Sequence, residues 1–361
     1  MRQLWRVDAP EHAFQHAFFV HEILAFAALH KAHKLPEQRA QYYACGIHHQ
    51  DLSIRGVRAK LLNVTSDEAA ALVATSTLLT LSVFASTGFE LNHPEIPSSQ
   101  DPIEGILNIF SLMQGMCNVL AMAQAHVVNS WLAPMLQDPR EAIPSQPMLQ
   151  ELVQQLPKLI SFVENKHDLP NVERELYLGV IGNLEPALQI CMAPHIDNRE
   201  MRFLFLWPLS LQGDFLGYFR QRHAGALAVI MYYSTILFAS QTRYWFMEGW
   251  GDQLMRACYE EMDPEWLPAV QWPAGFLNRV PSWNIFSSFV QARHGGQITP
   301  LPTQSPSPGP YGQRKPIEVP IRQYNAGPSS SQYRIVPAAQ LGQRKSAATH
   351  GQRHGPGEGT Q

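Results

Sequence analysis

A chain of 361 residues with 45% apolar and only 16% charged residues, and a formal net charge of −3, has material for a large core and less charge than the ~25% usual in soluble domains. That balance excludes a chain disordered throughout. Four cysteines spread singly at 45, 117, 191 and 258, with no C-x2-C pair, exclude a disulfide scaffold or a zinc knuckle.

Each cysteine falls in an apolar helical context, the pattern of reduced core thiols. The opening MRQLWRVDAPEHAF carries Asp8 and Glu11 where a secretory apolar run would lie, so an intracellular protein is expected. The low charge also suggests apolar surface that a partner or ligand covers.

In chain order the pattern is helical throughout. Phe18–Leu29 places Phe19, Ile23, Phe26 and Ala27 on one side, with Val20, Leu24 and Ala28 beside them, and ends before Pro36. Ala40, Tyr43, Ile47, Gln50, Ile54, Val57 and Leu61 follow at alternating steps of three and four, a seam of about three heptads that packs on another helix. Thr65-Ser66-Asp67-Glu68 has the T-x-x-E capping form, so a helix starts near Ser66 and stops at Gly88. After a loop over 89–100, Asp101-Pro102 supplies a cap and a first-turn proline for a long helix with Met113, Met116 and Met122. Four prolines break up 130–147. Two amphipathic helices follow at 149–163 and 172–191, the first bent or begun at Pro157.

The stretch from Arg202 to Gly251 organises the rest. Trp207-Pro208 interrupts the helical region, 211–222 forms a short helix, and Ala224–Thr242 carries no charge. Ala226, Val229, Ile230, Tyr233 and Leu237 recur at helical spacing, while Met231, Ile236 and Phe238 make the other side apolar too. A helix apolar all round is buried. Tyr232, Tyr233, Ser234, Thr235, Ser240 and Gln241 are too many polar groups for a lipid-facing span, so no membrane span is expected. Gly249-Trp250-Gly251 then separates a helix over 252–262 from a last turn at Asp263-Pro264.

After residue 290 the character changes. Residues 291–361 are rich in Pro, Gly, Ser and Gln without period, a composition that cannot offset its ordering entropy. They carry eight Lys and Arg against two Glu, a balance of +6, which leaves −9 on the body. Near-repeats at Gly312, Gly342 and Gly351 punctuate this basic tail, and Arg314-Lys315 and Arg344-Lys345 are candidate import signals. The expected architecture is an all-α, multi-helix body over 1–290 followed by a disordered basic tail.

Chemistry-bearing motifs are scarce. His12 and His16, His30 and His33, and the His48-His49-Asp51 cluster have helix-face spacing, but no second His follows His21-Glu22 to complete H-E-x-x-H, so surface histidines are the expectation. There is no G-x-S-x-G, no P-loop and no G-x-G-x-x-G. Glu248, among Tyr244, Trp245, Phe246 and Trp250, reads as a buried acid or, more simply, as a partner of Arg243. No catalytic residue, metal or cofactor is assigned, and no enzyme is expected.

Leu4-Trp5, the run from Ala13 to His30, Tyr42-Tyr43 through His48-His49-Gln50-Asp51-Leu52, Trp207-Pro208 and Trp245-Phe246-Met247-Glu248-Gly249-Trp250 together resemble the regulatory domain of fungal zinc-cluster transcription factors, in the sterol uptake control subgroup. The likeness covers roughly residues 4–275. Gln15-His16-Ala17-Phe18 stands where the family has Ser-His-Pro-Phe, a weaker helix start by about 1 kcal/mol, and the cysteine cluster that reads DNA is absent from this sequence. The resemblance implies a helical regulatory module in the nucleus, without direct DNA binding, that senses an apolar small molecule such as a sterol and pairs with itself or a related factor. Met116, Phe215, Met231, Tyr232, Trp245 and Trp250 are the candidate pocket residues. The alternative is a stand-alone lipid-binding or biosynthetic accessory protein.

Overall fold

Every described element is helical in the computed structural model, which describes residues 3–61, 63–96, 101–136, 147–192, 204–241 and 244–277. The main helices are α1 (Ala9–Ala13), α2 (Ala17–Lys34), α3 (Arg39–Lys60), α4 (Ser66–Asn92), α5 (Pro102–Val127) and α6 (Pro147–Asn165). They continue as α7 (Asn171–Gly182), α8 (Leu184–Met192), α9 (Gly213–Arg220), α10 (Ala224–Ser240), α11 (Trp250–Glu260) and α12 (Gln271–Ala274). The chain divides into a unit over Met1–Ile298 and a second over Thr299–Gln361. All of the second, with both basic pairs, lies outside the described residues.

Helix α10 is the axis of the larger of two apolar cores, buried from Gly225 to Ser240. Four of its hydroxyls donate to backbone carbonyls, while that of Ser240 is buried without a partner among the described residues. Ser234 donates to Ile230 O (2.8 Å), Thr235 to Tyr232 O (2.7 Å), Tyr232 to Ala269 O (2.9 Å) and Tyr233 to Leu204 O (2.9 Å). Each bond removes the desolvation cost that a lone buried hydroxyl would carry. The smaller core gathers Leu4, Ala13 and Phe19 from the N-terminal helices, Val57, the first half of α4 through Leu78, and Val119, Ala123 and Val127 at the end of α5. Helices α4 and α5 are long and apolar enough to cross a membrane; the apolar stretch of α4 is mostly buried in the fold, that of α5 much less.

The pairing of α2 with α3 corrects part of each predicted face. Helix α2 buries Phe18, Phe19, Glu22, Ala25, Ala28, Leu29 and Ala32, leaving Leu24 and Ala27 exposed. On α3 the heptad steps persist and Gln50 and Val57 are buried as predicted, but Gly46 and Ser53 are buried in place of Ile47 and Ile54 one residue away. The reason is close approach: a Cβ at Gly46 would lie 2.9 Å from Leu29 Cγ, and one at Gly56 2.5 Å from Phe18 Cβ. Small residues therefore face the partner helix, and the larger ones flank it. Exposure also overturns one thiol expectation, because Cys45 faces solvent while Cys258 is buried.

Other boundaries move for local reasons. Helix α4 runs through Gly88 to Asn92, and Thr65 donates to Glu68 (3.1 Å) while Lys60 takes that carboxylate's other oxygen (2.6 Å), so the pair serves itself rather than the backbone. Asp101 caps α5 as expected, accepting from Ile103 N at 3.2 Å. Pro157 sits inside α6 without ending it, and the predicted 172–191 helix breaks at Asn183 into α7 and α8.

The turn between α9 and α10 is held by Arg222, at a left-handed φ of 63°. Its guanidinium pairs with Asp101 and lies 3.2 Å from Glu261 and 4.0 Å from Glu104, joining the starts of α5 and α10 to the end of α11. A non-glycine residue in this region costs on the order of 1 kcal/mol, so the ion pairs hold a strained turn. Arg222→Ala is expected to lower stability by about 1–2 kcal/mol in urea unfolding, because partly exposed pairs are modest. Arg222→Gly should recover part of that loss by relieving the backbone.

Candidate functional site

The six predicted pocket residues do not line one cavity. Phe215, Met231, Tyr232 and Trp250 are packed solid in the larger core. Tyr232 is bonded to Ala269 O and packs on Trp272 with centroids 5.6 Å apart. Trp250 wedges between α4 and α5, its Nε1 donating to Phe84 O at 2.9 Å. Trp245 lies elsewhere, half-buried on the outer turn of α2 against Phe26, His30 and His33 at 5.0–5.6 Å. Met116 is half-buried on α5, its sulfur 3.9 Å from Thr80 Oγ1. Large aromatic and Met side chains at core spacing fill space here rather than enclose it.

Glu248 is not a buried acid. Its side chain is 58% exposed and Oε2 meets His33 Nδ1 at 2.9 Å, clasping the 244–249 turn to α2. Arg243, the partner expected from sequence, lies outside the described residues. Gly249 takes φ 76° at that turn, with Asn92 against it bonding both Gly88 O (2.7 Å) and Glu248 O (3.3 Å). Among the described residues, no three His, Cys, Asp or Glu side chains are placed to hold a metal ion.

Open space lies instead between α7 and α9. A groove of about 810 Å³ has Val172, Leu176, Val180 and Tyr218 as its apolar wall, with Glu175, Asn183, Gln212 and Asp214 among its polar groups. That volume is within the ~300–1,000 Å³ range of small-molecule sites. Gly179, Gly213 and Gly217 line it with nothing within 4 Å of where a Cβ would stand. Glycine inside a helix costs about 1 kcal/mol relative to Ala, and no packing in the fold requires it at these places. Val172, 73% exposed, stands at the mouth. Among the described residues no lysine or arginine lines the groove, so its chemistry suits a neutral or cationic apolar molecule and disfavours an anion.

None of the predicted pocket residues belongs to this groove. The signal that could have found it was the pair Gly179 and Gly182 with the pair Gly213 and Gly217, four helix-weakening residues on otherwise amphipathic segments.

The sterol uptake control protein 2 of Candida albicans is 33% identical to this chain over 99 residues, which is 27% of this chain and 12% of that protein. The chain is thus distantly related to a protein named for control of sterol uptake, and matches about an eighth of its length. No family model matches the chain. No solved structure matches it either.

Proposed function

We propose that the chain is a fungal transcription regulator of the zinc-cluster class in its regulatory part, nuclear in location, and that it senses an apolar small molecule such as a sterol in the groove between α7 and α9. The partial likeness to a sterol uptake control protein carries the reading. It is supported by the helical body and by a groove of suitable size with an apolar wall and no basic group among the described residues. The polar rim of Asn183, Gln212 and Asp214 offers partners for a single hydroxyl, while Leu176, Val180 and Tyr218 offer apolar area worth roughly 25 cal/mol per Å² covered.

The test is equilibrium binding of a fluorescent sterol to the full chain and to Gly217→Leu. The added side chain enters open space, so the variant should keep its melting temperature while losing at least about tenfold in affinity, a blocked apolar contact of some 1–3 kcal/mol. No binding by the unmodified chain would remove the sterol reading. Unchanged binding by the variant would place the ligand elsewhere.

A further inference from the structure

Outside the groove, the most unusual chemistry lies where α2, α3 and α4 meet. Glu22 is fully buried on the face of α2 that packs against α3 and α4. Ser82 of α4 donates to its Oε1 at 2.5 Å. Ser53 of α3 stands against the same carboxyl, but Ser53 Oγ, Glu22 Oε2 and Gln50 Nε2 are all buried without a well-aligned partner among the described residues. A carboxylate so placed has no cation among the described residues to offset its charge. A protonated carboxyl, in contrast, has a hydrogen on Oε2 to give to Ser53 Oγ while Oε1 keeps the bond from Ser82.

We propose that the Glu22–Ser53–Ser82 layer is a protonation-controlled joint, which holds α2 and α3 together when the carboxyl is neutral and loosens them when it ionises. The two helices approach too closely at Gly46 and Gly56 for water to enter beside the carboxyl without separating them. Ionisation and opening are therefore linked.

Burial pushes Glu22 up to about 7 from an ordinary 4.5, against the smaller opposing effect of the Ser82 and Ser53 hydroxyls. The other titratable groups around α2 are engaged elsewhere and do not contribute to this displacement. On α4, Glu68 pairs with Lys60 and Glu90 accepts from Tyr43; in the 244–249 turn, Glu248 pairs with His33; on α1, His12 stacks on Trp131. On α3, Asp51 pairs with Arg55, and His49 meets His21 of α2, Nδ1 to Nδ1, at 3.0 Å on the surface beside this layer. Burial, then His21 and His48, hold His49 below the ordinary histidine value. A histidine held low favours the folded state more as pH rises, so His49 acts opposite in sign to Glu22.

The sign follows from the raised carboxyl. Its contribution is fully present below 4.5 and is lost as pH rises through about 7, with the opening equilibrium growing tenfold per pH unit between those limits, about 300-fold in all. Native-state hydrogen exchange of the α2 and α3 amides, corrected for intrinsic rates, reads this directly on the full chain. The difference between wild type and Glu22→Gln cancels the histidine contribution. The expected result is a pH-dependent difference that vanishes below pH 4.5 and levels off above about 7; identical slopes in the two proteins would overturn the joint. Should Glu22→Gln not fold, infrared spectroscopy of the wild type decides. A protonated-carboxyl band at pH 6 that disappears by pH 8 supports the proposal, and its absence at pH 6 overturns it.

Discussion

Gly251→Ala is expected to be the most damaging single-methyl change in the molecule, lowering stability by about 3 kcal/mol or more, at the upper end of overpacking costs. Helices α10 and α11 cross backbone to backbone there, and a Cβ at 251 would fall inside the main-chain N and Cα of Phe238. Phe238 belongs to the fully buried α10 and cannot yield as a flexible side-chain tip would. Relief requires α11 to withdraw, carrying Trp250, Leu254, Met255 and Cys258 out of the core. Urea unfolding of the variant should show a large fall in midpoint; a change below about 1 kcal/mol would mean that α11 is free to shift.

Trp250 supplies the second large effect. Trp250→Ala should cost about 3–5 kcal/mol, the range for removing a buried aromatic without full collapse of the cavity. Its indole lies between Gly88 of α4 and Gly105 of α5, where a Cβ would stand 3.2 Å from Nε1 and 3.1 Å from Cη2 respectively. The walls on both sides are helix backbone and close poorly over a void. Trp250→Phe keeps most of the packing but loses the bond to Phe84 O, so about 1–2 kcal/mol is expected. Denaturant midpoints ordered wild type, Phe, Ala check the assignment, and equal midpoints for Phe and Ala would show that the bond, not the wedge, matters.

Much of the helical frame was legible because its signals are local. The Asp101-Pro102 start and the uninterrupted apolar run of α10 each act within a turn or two of chain, whereas Trp207, expected to leave the helical region before Pro208, instead opens a 3-10 turn over Trp207–Ser210. The faces of α2 and α3 were partly misread because periodicity weights residues by hydrophobicity, whereas this interface selects by size: Gly46 and Ser53 are buried, while Ile47 and Ile54 are only half-buried. Glu22 was hidden for the same reason, as a charged residue on a predicted core helix reads as surface unless its tertiary neighbours are known. The candidate site was read least well. Aromatic and Met residues were chosen for apolar area, but in a close-packed fold such residues occupy volume, and space for a ligand is left by residues that lack a side chain, such as Gly213 and Gly217.

The two apolar cores are not separable parts, since α4 and α5 each contribute one end to both. Leu72 and Val73 belong to the smaller core and Phe84 and Phe89 to the larger, while α5 runs the other way, from Ile106 and Phe110 in the larger to Val119 and Val127 in the smaller. Neither half can melt without unwinding helices that the other half needs, so the body should unfold in one cooperative step. A fragment cut between α3 and α4 would leave bare the apolar ends of both long helices and would aggregate rather than fold.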